Sequence, residues 1–80
     1  MPTVRDIPGP YRFFFYSFDC NEPKHVHVER DRSNCKFWLD PLVLARNHGF
    51  APHELNQIRG LIKSHTGRIS DAWDQHCGQA

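Results

Sequence analysis

The chain has 80 residues, 39% of them apolar and 12% aromatic, with a formal net charge of +1 when its histidines are neutral. That length accommodates one domain, spanning 1–80, and that apolar content excludes global disorder. The near-zero charge excludes the broad basicity of a dedicated nucleic-acid binder.

The first ten residues hold Pro2, Pro8, Gly9 and Pro10 and are expected to run extended or turn-like into the domain. They contain no apolar signal core, and no apolar run in the chain is long enough to cross a membrane. The cysteines Cys20, Cys35 and Cys77 are odd in number and form no C-x-x-C pair. A reducing cytoplasm with free thiols is the reading these features favour.

The strongest strand signal is YRFFFYSF, Tyr11 to Phe18, apolar on both faces and therefore expected to be covered on both. Asp19 to Lys24 is expected to be a polar loop. HVHVER then alternates, with Val26 and Val28 on one face and His25, His27 and Glu29 on the other. NCKFWL alternates too, with Cys35, Phe37 and Leu39 opposite Lys36 and Trp38. Because a slip of one residue exchanges the two faces, the register should pair Val28 with Cys35 and Val26 with Phe37. His27 then lies beside Lys36, and His25 beside Trp38.

Asp40-Pro41 has two readings. As a turn, it pairs Leu39 with Leu42 and Phe37 with Leu44 and adds a fourth strand. As an N-cap followed by a first helical residue, it starts a short helix that ends at Gly49. The C-terminal part carries apolar residues at helical spacing, including Leu55, Ile58, Leu61, Ile62, Ile69, Ala72 and Trp73. One long helix is expected from about Pro52 to Cys77, with Thr66-Gly67 as the place for a kink. The expected architecture is α+β: an antiparallel sheet of three or four strands packed by a long C-terminal amphipathic helix.

The stretches MPTV, FYSFDCNEPKHVHVERD, KFWLDPLVLARNHGF, HELNQI and DAW carry a resemblance. Together they resemble a small bacterial domain-of-unknown-function family with a Met-Pro-Thr start, an aromatic strand and an Asp-x-x-x-P-P-H-x-H-V motif, in its K-F-W-L subgroup. Lys24 departs from that pattern, standing where the family has the second proline of its pair. The resemblance implies an antiparallel sheet with a C-terminal helix, and it supports the strand reading of residues 41–48. It also implies gene pairs of toxin–antitoxin type. It supplies no catalytic residue and no cofactor.

His25 and His27 admit several chemistries. Alternate strand residues reach the same side, so both could hold a zinc ion with a third ligand from Asp19, Cys20, Glu22 or His48. None of these stands at a diagnostic spacing, so neither metal nor cofactor is expected. As a proton-transfer pair, they could serve a metal-independent ribonuclease with Lys24, Arg30, Arg32 and Lys36 near the phosphate. Trp38 or Tyr16 would then stack on a base. As the solvent side of a strand, they would do neither.

The favoured reading is a protein-binding, regulatory surface of Asp19, Glu22, His25, His27, Lys36 and Trp38, docking a small protein encoded nearby. The ribonuclease is the alternative and a zinc module the third. His65 and His76 read as packed and hydrogen-bonded, Trp73 as a core anchor, Cys35 as a small core residue, and Arg59, Lys63 and Arg68 as a solvated helix face. No catalytic residue is assigned.

Overall fold

The computed structural model describes residues 3–78. The expectation for Pro2 lies outside them. The order is β1 (Thr3–Val4), β2 (Arg12–Phe14), a 3-10 turn at Asp19–Asn21, β3 (His25–Arg30), β4 (Ser33–Leu39), β5 (Leu42–His48), α1 (Pro52–Ser64) and α2 (Thr66–Cys77). The five strands form one antiparallel meander in sequence order. The α+β class holds, with five strands in place of the expected three or four.

The alternation argument reproduces the central register. Val28 pairs Cys35, Val26 pairs Phe37, His27 pairs Lys36 and His25 pairs Trp38. The strand reading of residues 41–48 is correct, with Leu39 paired to Leu42 and Phe37 to Leu44 across a cis Asp40-Pro41 peptide. A bulge opposite Lys36/Phe37 follows, so Lys36 pairs Arg46 and Ala45 is skipped. Beyond β5, Gly49 takes a positive φ of 101° against Ser33, where a Cβ would stand 2.7 Å from the Ser33 hydroxyl.

The aromatic strand is shorter than Tyr11–Phe18. Chain pairing ends at Phe14, and Phe15 to Phe18 turn away from β3. The cause is Asp19, whose Oδ2 accepts the Tyr16 N–H at 2.8 Å and fixes a turn where a strand would continue. This departure brings Asp19 back over the face of the sheet that carries the histidines.

The long helix divides. His65 leaves helical geometry at φ −123° and ψ 25°, separating α1 from α2. Its backbone N–H and Nδ1 both serve the carbonyl end of α1, and the Thr66 hydroxyl donates to Ile62 O at 2.9 Å. These local bonds compete with continuation at a Thr-Gly pair of low helix propensity. Pro52 starts α1 as expected, and Glu54 reaches back to accept the Ala51 N–H at 3.1 Å.

Both helices cover one face of the sheet. Phe13, Phe15, Val26, Val28, Cys35 and Phe37 join Ile58, Ile62, Ile69 and Trp73 in the core. Cys35 is buried and free, and burial pushes its thiol up to about 12, so it is inert as a nucleophile. The free-thiol expectation fails for the other two cysteines. Cys20 and Cys77 form a disulfide across a separation of 57 residues, because the 3-10 turn packs against the end of α2. No spacing pattern announces a pair so distant in sequence. Among the described residues, no helix is long and apolar enough to cross a membrane.

Candidate functional site

The sheet face opposite the helices carries Phe14, His27 and Lys36 in one cross-strand row and His25, Trp38 and Val43 in the next. Strand alternation put both imidazoles here. Their burial was not foreseen: His25 is 0% exposed and His27 7%, so the solvent-side alternative is excluded. Three groups cover them. Tyr16 meets the His27 ring edge-on at 4.7 Å. Trp73, reaching from α2, stands 5.0 Å from the His25 ring. Asp19, itself 4% exposed, closes over the pair.

All six residues expected at the site come together. His25 Nε2 lies 3.2 Å from Asp19 Oδ1, and His27 Nε2 lies 3.0 Å from Asp19 Oδ2. The two rings meet edge-to-face at 5.0 Å. Above them, Lys36 Nζ donates to Glu22 Oε1 at 2.6 Å and sits 4.3 Å from the Trp38 ring centre. Trp38 in turn lies 5.5 Å from the His25 ring. The cluster has two layers: Asp19, His25 and His27 inside, and Glu22, Lys36 and Trp38 outside.

Electrostatics follow the layers. The Lys36 ammonium holds the exposed Glu22 carboxyl below its ordinary range. Burial pushes the His27 imidazole below its ordinary value, outweighing the opposite pull of Asp19. The linkage has a definite sign. The unfolded chain binds the His27 proton near pH 6.5 and the folded chain only lower, so His27's contribution to stability is lost as pH falls below about 6.5 and levels off beneath the folded value. Urea midpoints of the wild type in EDTA are expected to drop between about pH 7 and 5.5, and His27→Gln is expected to flatten that drop.

Lys24 ties this loop to α2. Its Nζ donates to Ser70 Oγ at 2.8 Å and pairs with Asp74 at 3.0 Å. Two contributors lie outside the six residues expected at the site. Tyr16 and Trp73 cover the imidazoles, and Trp73 was placed only as a core residue. His76 is hydrogen-bonded as expected, its Nε2 2.9 Å from Tyr16 O, and it stacks on Phe15.

Residues 11–74 match the family described as Domain of unknown function (DUF4160). The chain belongs to that family. The match runs from the aromatic strand through the histidine cluster to α2 just past Trp73, so it includes every residue of both layers. No curated protein and no solved structure matches the chain.

Proposed function

We propose that this DUF4160 chain is a protein-binding, regulatory component of a cytoplasmic two-gene module of toxin–antitoxin type, docking its partner on the sheet face opposite the helices. One observation carries the docking surface. The exposed large hydrophobics among the described residues, Phe18 at 68% and Val43 at 47%, both border the histidine cluster. Phe18 stacks on Tyr16 at 5.5 Å, and Val43 pairs with Trp38. Aromatic and aliphatic anchors of this kind, rimmed by charge, are the usual core of a protein interface.

The charge beside the anchors indicates the partner's chemistry. Lys36 already holds Glu22, while Arg46, its cross-strand neighbour, has no acidic partner among the described residues. The fitting occupant is a partner segment that carries apolar side chains next to acidic ones. The ribonuclease alternative gains no support, since a proton-transfer pair must reach its substrate and both imidazoles are enclosed.

The test is native expression of the chain with the product of its adjacent gene. Co-purification is expected, with loss in Phe18→Glu/Val43→Glu and retention in Lys63→Glu on the helical side. A chain that stays alone, or a complex indifferent to the double variant, refutes the reading.

A further inference from the structure

The inner layer has a hydrogen-bonding inconsistency that points to a ligand. His25 Nδ1 lies 2.8 Å from Pro23 O, and only an N–H can make that contact. A neutral His25 ring therefore presents a lone pair at Nε2, facing the oxygen of Asp19 at 3.2 Å. A doubly protonated ring would meet Asp19 as an ion pair, yet with its N–H poorly aimed, since the Nε2 of His25 and that of His27 both lack an aligned hydrogen-bond partner. Two buried ring nitrogens and an acid are thus at ion-pair distance without a well-aligned hydrogen bond between them, an arrangement that buried polar groups rarely keep.

A cation among them resolves the inconsistency, and we infer that Asp19, His25 and His27 form a binding site for one divalent first-row transition ion of the zinc type. Their donor atoms all lie within 4.8 Å of one another. Ligands about 2.0–2.2 Å from a common ion stand about 3.3–3.6 Å apart at tetrahedral angles and about 2.8–3.1 Å at octahedral ones. The imidazole–carboxylate contacts, 3.2 Å to Oδ1 and 3.0 Å to Oδ2 of Asp19, fall at this scale, each through its own oxygen, and the widest donor spacing stays within 4.8 Å. Two imidazoles with one carboxylate suit zinc or iron(II) in preference to calcium or magnesium, which favour oxygen.

The surrounding bonds are those a metal site needs. His25 spends its Nδ1 proton on the Pro23 carbonyl, which aims Nε2 inward, and Asp19 Oδ2 accepts the Tyr16 N–H at 2.8 Å. Both imidazoles stand on β3, the middle strand of the sheet, so their separation is set by rigid backbone. Three protein ligands leave a further position, which a water enclosed with the ion would fill. Of the four third ligands the sequence offered, the fold selects Asp19, which returns to the histidines because the aromatic strand breaks at Phe15.

The second cluster of possible donors, Cys20, His76 and Cys77, provides the control. Its sulfurs are joined to each other, so without reductant it offers no thiolate. Untagged protein, dialysed against EDTA and kept oxidised, is titrated with zinc and with cobalt by calorimetry and visible absorption. One ion per chain is expected, with weak cobalt bands and no thiolate charge-transfer band. Asp19→Asn and His27→Gln, checked for fold by circular dichroism, are each expected to weaken binding by more than the about 10–100-fold that follows loss of an outer-shell partner. Wild-type protein that takes up neither ion overturns the inference. So does a thiolate band, or wild-type affinity in both folded variants.

Discussion

Reduction of the Cys20–Cys77 disulfide is expected to lower the unfolding free energy by about 4 kcal/mol, through the entropy returned to the denatured chain when a loop of this length opens. An 80-residue domain has a total stability of about 4–12 kcal/mol, so this is a third of it or more. At about 4–8 °C per kcal/mol for a domain of this size, the melting temperature should fall by roughly 15–30 °C. Thermal unfolding with and without a phosphine reductant measures it, with EDTA present so that no metal re-staples the freed thiols. Cys20→Ser/Cys77→Ser should match the reduced wild type. A fall of under about 3 °C would contradict that account and mean that the denatured chain keeps its two ends together without the bond. The bond also bears on setting. In a reducing cytoplasm the pair would stand open, leaving the loop that carries Asp19 held by the Lys24 and His76 side chains.

Trp73→Ala is the second large effect, expected to cost about 3–5 kcal/mol. The indole is 3% exposed and meets Phe15 edge-on at 5.4 Å and His25 at 5.0 Å. Its removal leaves a cavity where α2, the end of the aromatic strand and the histidine cluster converge, and close packing gives such a cavity little means to collapse. Trp73→Phe keeps an aromatic ring there and is expected to cost less. Denaturant unfolding followed by circular dichroism reads both. A loss under about 1 kcal/mol for the alanine variant would show that α2 is not seated through this side chain.

Much of the sheet was legible because alternation is a strong constraint when one face must be buried. In HVHVER and NCKFWL a one-residue slip would turn Val26 and Val28 away from Cys35 and Phe37, and the Asp40-Pro41 turn extends the pattern into β5 without changing faces. The break at His65 falls one residue before the place expected for a kink, Thr66-Gly67; that it is a full interruption was not legible because the apolar spacing carries through it in phase, while side-chain bonds to the last carbonyls of α1 make the break. Strand β1 was hidden because a two-residue strand has no period.

The candidate site was legible in membership and illegible in depth. Strand pairing assembled His25, His27, Lys36 and Trp38, and the loop before β3 supplied Asp19 and Glu22. What no local pattern revealed was that Trp73 and Tyr16 arrive from other elements and close the inner layer from water. The same remoteness hid the Cys20–Cys77 bond. In each case the decisive neighbour is brought by the tertiary fold, and spacing along the chain carries no trace of it.

Proton–nitrogen correlation NMR of the histidine side chains tests the central claim, that Asp19, His25 and His27 form one buried ligand set, most directly. At about pH 8, the account predicts His25 with its proton on Nδ1, and Nε2 resonances of His25 and His27 that move together on addition of one equivalent of zinc while the exposed His53 stays fixed. A His25 ring protonated on Nε2 alone, or Nε2 resonances that zinc leaves unmoved, would contradict it.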